Sequence, residues 1–154
     1  SEMCIRDRMK GGESMQAINA ANTGHSVITT IHANSCEDTY YRMVTLCKQE
    51  QPGMDDATLQ NLATKAFPIV AFAKRLEDNS RRIMEITECE TLQDGRKKMR
   101  TLYRFNITDN IIVEGKPKII GHYEKVENLS EGLQKRLREN GLPLKMQEQL
   151  LAKR

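Results

Sequence analysis

The chain has 154 residues, 24 Lys and Arg against 21 Asp and Glu, a net charge of +3 and 38% apolar residues. That size allows one domain, or one with an appendage, and a real hydrophobic core. The composition excludes a disordered chain, and no stretch nears the roughly 18 apolar residues that a membrane span needs.

Gly11-Gly12 lead into a helical pattern in which Met15 and Ile18 lie three apart, and Gly24 stops it. The β-branched run Val27-Ile28-Thr29-Thr30-Ile31 then predicts a buried strand, ending at His32-Ala33-Asn34. Ser35 is a good N-cap for a helix of about 36–49, and Asp38 three residues on resembles a capping box. Pro52-Gly53 breaks that helix. Asp55 caps the next one, through about Ala66, with Met54 and Leu59 at hydrophobic-staple positions.

From Pro68 the texture changes. Ile69 to Ala73 reads as a strand, 77–80 as a turn, and 82–87 alternates like a half-buried strand. Gln93-Asp94-Gly95 is a turn, followed by the basic stretch 96–100. Leu102 to Phe105 is strand-like, Thr108-Asp109-Asn110 predicts a turn into Ile111-Ile112-Val113, and 118–120 is a further short strand. Ser130 is an N-cap, Leu133 and Leu137 lie four apart, and Gly141 is the stop. A last segment carries Leu144, Met146 and Leu150. The expected class is α/β: the tail of an α/β unit, then an antiparallel hairpin set, then terminal helices.

The four cysteines, Cys4, Cys36, Cys47 and Cys89, are too widely spaced for a zinc motif or a disulfide framework. They read as idle or buried thiols, and no metal ligand set is expected. No signal-peptide series marks the N-terminus, so a cytoplasmic location is the expectation. Charge is uneven: residues 95–154 carry 14 basic against 7 acidic side chains. Such a half reads first as a solvated charged surface, and it could also meet an acidic partner, a membrane surface or nucleic acid. It lacks the aromatic and basic interleaving of single-strand nucleic-acid binders, and no nucleic acid is expected.

The sharpest chemistry lies in 22–34. Thr30, His32 and Asn34 end the expected strand with hydrogen-bonding side chains, where ligands of open α/β sheets sit. A histidine there can donate to a phosphate oxygen. On chemistry alone, a strand that merely ends in polar residues reads the same way.

The whole string, Asn22-Thr23-Gly24-His25 through Thr29-Thr30-Ile31-His32-Ala33-Asn34, resembles the histidine box of the type II/type IV secretion ATPase superfamily, most of all its Flp (tight-adherence) pilus assembly branch. Gly11-Gly12-Glu13-Ser14-Met15-Gln16-Ala17 looks like the segment after the Walker B strand there. Ser35, Asp38 and Arg42 fall where that branch has serine, aspartate and arginine. Arg75-Leu76 and Ser80-Arg81-Arg82-Ile83, leading to Glu85-Ile86-Thr87-Glu88, match a further strand pair. The likeness is good over about 9–90 and looser beyond, where 129–141 resembles the closing helix.

The resemblance implies a hexameric, RecA-like P-loop ATPase using ATP and Mg2+ at the cytoplasmic face of a membrane machine, with an inner-membrane platform protein as partner. His32 would face the γ-phosphate and report its presence, and Glu13 lies just after the catalytic glutamate; these two are the catalytic candidates. His25, Thr30, His32 and Arg42 are the nucleotide-binding candidates. An i, i+4 ion pair with Asp38 is the equal alternative for Arg42.

The chain departs from the pattern in two ways. It contains no G-x-x-x-x-G-K-[ST] loop, the backbone cradle for phosphates. Arg8 stands where the family has its catalytic glutamate, and no aliphatic Walker B run precedes it. Residues 1–8 therefore read as a foreign lead, 9–67 as a partial RecA-like core with the histidine box, and 68–154 as the closing strands and helices. The expectation is a C-terminal piece of the ATPase, inactive alone. A non-catalytic interaction module, working through Arg96, Lys97, Lys98 and Arg100 on a platform protein, is the alternative.

Overall fold

The computed structural model describes Met9 and residues 12–152. Residues 1–8, the expected foreign lead, and Gly11 lie outside them. The chain divides into two compact units, 1–70 and 71–154.

The described part of the first unit is three helices: α1 (Ser14–Asn22), α2 (Cys36–Glu50) and α3 (Asp56–Ala66). They bury Met15 and Ile18 from α1, Tyr40, Met43, Leu46 and Cys47 from α2, and Leu59 and Ala63 from α3. The spacing of these residues puts each set on one helical face, which is what drives the three helices together. The Tyr40 hydroxyl donates to the Phe67 carbonyl at 2.5 Å, so its buried polar tip is satisfied. Burial pushes the Cys47 thiol up to about 11, with Glu50 adding to it, so this cysteine is an inert core residue.

Helix ends follow the sequence closely. The Ser35 hydroxyl accepts from the Asp38 N–H at 3.0 Å, and the Asp55 carboxylate accepts from the Thr58 N–H at 2.9 Å. Caps of this kind are worth about 1 kcal/mol each. The Asp38 carboxylate does not return to Ser35. It reaches one residue further back and accepts from the Asn34 N–H at 2.9 Å.

The run 27–31 departs from expectation. It is extended, but it makes a single bridge at Thr30, whose carbonyl accepts from the Met9 N–H at 2.6 Å. A strand is held by its neighbours, and one bridge among the described residues, to Met9, does not make one. The run is not buried either: Ile28 is 67% exposed.

The second unit carries a four-stranded meander in the order β1-β2-β3-β4, with β1 (Ile69–Arg75) entering from the first unit. The remaining strands are β2 (Arg81–Thr91), β3 (Lys97–Val113) and β4 (Lys116–Lys125), and the β2–β3 and β3–β4 pairs are antiparallel. The turns after β1 and β2 are alike. Leu76 N–H donates to the Ser80 carbonyl and Leu92 N–H to the Arg96 carbonyl, both at 2.9 Å. Asn79 at φ 61° and Gly95 at φ 82° take the left-handed position that such three-residue hairpin loops need. The β3–β4 turn is a two-residue loop, Glu114-Gly115, with both residues at positive φ.

The turn expected at 108–110 is absent. β3 runs through it, and the register shifts between Ile107 and Asp109, leaving Thr108 as a β-bulge. Pairing with β4 on both sides of the bulge overrides the local turn chemistry of Thr-Asp-Asn. What survives of that chemistry is the Asp109 carboxylate accepting from the Asn110 N–H at 2.8 Å.

Helices α4 (Glu131–Glu139) and α5 (Leu144–Leu151) close the chain. Glu88 is 2% exposed, and its carboxylate accepts from the Ser130 N–H at 2.8 Å and from the Ser130 hydroxyl. The same hydroxyl accepts from the Leu133 N–H at 3.1 Å, so one buried glutamate fixes the cap that starts α4. α4 ends in a Schellman motif: Leu142 N–H reaches the Leu137 carbonyl and Gly141 N–H the Arg138 carbonyl, both at 3.0 Å.

Two outcomes test this account. A Cβ at Gly121 would meet the Asn106 carbonyl oxygen and lie 2.6 Å from the Phe105 ring. Gly121→Ala should cost about 1–3 kcal/mol and lower the melting temperature of the chain; an unchanged melt would mean that Phe105 does not lie on this glycine. The second outcome concerns acid. The Ser80 hydroxyl, the Ile119 N–H and the Ser80 N–H hold Asp78 below the usual carboxylate range, and Thr58 does the same for Asp55. A depressed carboxylate stabilises the fold above its unfolded pKa, and that share is lost as pH falls through the folded pKa. Melting temperature should fall as the pH drops below about 4, and less steeply in Asp78→Asn. An equally steep fall in the variant would remove Asp78 from the explanation.

Candidate functional site

The candidate residues all lie in the first unit. Helix α1 ends at Asn22, and a Schellman motif turns the chain out of it. Gly24, at φ 95°, donates to the Ala21 carbonyl at 3.4 Å, and His25 N–H donates to the Ala20 carbonyl at 3.1 Å. His25 is therefore placed by backbone geometry. Its Nδ1 lies 3.4 Å from the Thr23 hydroxyl oxygen. That hydroxyl is already placed to donate to the Asn19 and Ala20 carbonyls, at 2.9 and 3.0 Å. The ring therefore sits beside a hydroxyl that is itself tied to the end of α1.

Beyond Gly24 the chain runs extended to the start of α2. Thr30, His32 and Asn34 are exposed, while the intervening Thr29, Ile31, Ala33 and Ser35 are half-buried. This is the alternation of an extended chain, and it sets the three polar side chains in one exposed row. The row offers a hydroxyl, an imidazole N–H and an amide NH2, all donors suited to an oxyanion. Its far end is fixed, because the Asn34 N–H is held by Asp38 and Ser35 caps α2. Its near end is tied to Met9, whose N–H donates to the Thr30 carbonyl.

Arg42 lies on the exposed side of α2. The alternative reading, an ion pair with Asp38, does not hold: among the described residues no such pair forms. The Asp38 carboxylate is turned instead toward the backbone of Asn34.

Glu13 stands at the N-cap of α1, exposed, with φ −124° and no side-chain capping bond. The capping work comes from elsewhere. Glu50, the last residue of α2, accepts from the Gly12 N–H at 3.1 Å and from the Ser14 N–H at 2.9 Å through one carboxylate oxygen. No hydrogen bond or ion pair links Glu13, His25, Thr30, His32 and Arg42 to one another among the described residues.

The residues fit a phosphate better than a metal. The row of donors meets the chemistry of an oxyanion. Among the described residues no group of three His, Cys, Asp or Glu side chains gathers to hold a metal ion. Sequence reasoning missed Glu50, whose only signal was an acid at the wrong end of a helix.

The basic stretch that opens β3 is largely committed within the second unit. Arg100 is sandwiched between Glu90 at 2.6 Å and Glu127 at 2.7 Å, and the bond to Glu90 above all pushes its pKa up. Arg96 pairs with Asp94 at 2.6 Å, and Lys97 donates to the Thr91 hydroxyl at 2.7 Å. Among the described residues, no helix is long and apolar enough to cross a membrane.

Comparison with known proteins follows this geometry. The family described as type II/IV secretion system protein matches residues 5–151. Among solved structures, the chain is similar to the VirB11 ATPase from the Brucella suis type IV secretion system, crystallised in complex with sulphate. Identity is 28% and the TM-score 0.50, over 53% of this chain and 26% of that one. The chain thus spans about a quarter of the length of that relative. No curated protein matches.

Proposed function

The chain belongs to the type II/IV secretion system protein family, and on that footing we propose that it forms part of the ATPase that powers pilus assembly or protein secretion, in the Flp branch. The family is one of ATPases. The observation that carries the reading is the exposed Thr30, His32, Asn34 row, anchored at both ends, inside the matched stretch.

ATP with Mg2+ supplies a transferable γ-phosphoryl group when bound. Thr30 and Asn34 hold the phosphate edge by donating to its oxygens. His32 donates a ring N–H toward the γ-phosphate, so the state of this contact reports whether the phosphoryl group is present. His25, set by the turn after α1, supports the same region. Arg42, free of Asp38, is available to a nucleotide or to a neighbouring subunit of a hexameric ring. Glu13 is the acidic member of the set. The working location is the inner face of a cell membrane, against a platform protein of the machine.

None of the 154 residues forms a G-x-x-x-x-G-K-[ST] loop. The main anchor for the β- and γ-phosphates must then come from other residues, and these 154 alone should neither turn over ATP nor bind it at micromolar levels. Tight binding by the isolated chain, read by titration calorimetry, would count against this division of labour.

The sensor role is tested in a protein that contains these residues together with a phosphate-binding loop. His32→Ala should lower ATP turnover about 100-fold. His122→Ala, which removes an exposed histidine from β4, should leave turnover within about twofold. Equal effects of the two substitutions would sink the sensor role.

A further inference from the structure

We infer that Glu50 is a positioning residue for the Glu13 turn, clamping it from the far end of α2 and leaving the Glu13 carboxylate free to act. This inference rests on the reading of Glu13 as a member of the nucleotide site.

Glu50 is in an unfavourable place on its own helix. A carboxylate at the C-terminal end of a helix sits against the negative end of the macrodipole, where Lys or Arg belongs. Lys48 is the basic residue of that last turn, and its ammonium is spent on the Met54 carbonyl at 2.7 Å and Asp56 at 2.8 Å. Glu50 therefore gains nothing from its own helix. Its compensation lies at α1. The first turn of a helix presents unpaired N–H groups and the positive end of a dipole. Glu50 meets both, accepting from Gly12 and Ser14 through a single oxygen.

Those two N–H groups flank Glu13. Fixing them fixes the backbone on either side of it. Gly12, at φ 93°, sits where a side chain would be strained, so this turn has a defined shape for the clamp to hold. Ser14 is fully buried, which leaves its N–H no access to water as a substitute partner.

The clamp also explains why Glu13 occupies an N-cap position, where Ser, Thr, Asp or Asn is the usual choice. Glu13 makes no capping bond. Because Glu50 satisfies the helix end from outside, the residue at the cap is released from that duty. Among the described residues the Glu13 carboxylate joins no hydrogen bond or ion pair and is exposed.

There is a second consequence. α2 begins directly after the Thr30, His32, Asn34 row, which it fixes through Asp38 and Ser35. It ends on the turn that carries Glu13. One helix of 15 residues, about 22 Å long, holds two of the candidate segments, one at each end. Movement of the row on nucleotide exchange would be felt at Glu13 through this strut.

The test uses two readouts. Amide hydrogen exchange on the full chain reads the clamp alone. Glu50→Ala should speed exchange at Gly12 and Ser14 about tenfold, while α3 keeps its protection. Glu50→Gln keeps an oxygen acceptor and should restore most of the protection. Unchanged exchange at Gly12 and Ser14 in Glu50→Ala overturns the clamp.

Turnover, in a protein that carries these residues and a phosphate-binding loop, reads the consequence. Glu50→Ala should lower kcat at least about tenfold with KM for ATP held within about twofold, and Glu50→Gln should recover most of it. Lost protection with unchanged kcat would overturn the positioning role. Glu13→Gln separates this failure from that of the underlying reading. If Glu13→Gln leaves turnover intact, the role assigned to Glu13 falls, whatever Glu50 does.

Discussion

The first unit depends on how α2 is held at its two ends. A helix leaves four N–H groups and four carbonyls without intrahelical partners, and something must satisfy them. At the N-terminal end of α2, Ser35 caps the helix and Asp38 reaches back to the Asn34 N–H. At the other end, Glu50 turns outward and closes the start of α1. Between these anchors, Tyr40, Met43, Leu46 and Cys47 supply the buried face. The extended row before α2 and the turn before α1 are not strands or helices with packing of their own. They have defined places because α2 has.

The second unit solves the same problem with a buried charge. Glu88 sits on β2 with almost no exposure, and an unpaired carboxylate there would be costly. Ser130 satisfies it with its N–H and its hydroxyl, and that same hydroxyl starts α4. Lys125 does a similar task at the other end, donating to the Leu150 and Ala152 carbonyls where α5 finishes. Sheet and terminal helices are therefore joined through polar contacts at helix ends. Neither α4 nor α5 has a buried residue.

Much of this was legible from local chemistry. Ser35, Asp55 and Ser130 are N-cap residues by type, and Gly24 and Gly141 are helix stops by type, so the limits of four helices could be read from single positions. The hairpin turns at 77–79 and 93–95 were equally visible. The failures came where a distant partner decides. Val27 to Ile31 has the composition of a buried strand, yet among the described residues it has one bridge, to Met9. Thr108 to Asn110 has the composition of a turn, yet pairing with β4 carries the chain through it. The candidate site divides in the same way. Thr30 and His32 stand out as candidates by residue type at the end of an extended run and by the family resemblance. Glu50 could not, because its partner is 36 residues away in sequence. Likewise, no pattern shows that Asp38 prefers the Asn34 backbone to Arg42.

For function, these features give one arrangement. An exposed row of donors, a histidine placed by a helix stop, an exposed arginine and an exposed glutamate belong to the three-helix unit of a member of the type II/IV secretion system protein family. On the proposed function, the row faces the γ-phosphate. The decisive measurement is a structure of a protein containing these residues and the phosphate-binding loop, loaded with a non-hydrolysable ATP analogue and then with ADP. A His32 ring nitrogen should lie about 3 Å from a γ-phosphate oxygen in the first state, with no such contact in the second. A His32 side chain that stays in solvent in both states would rule the sensor role out.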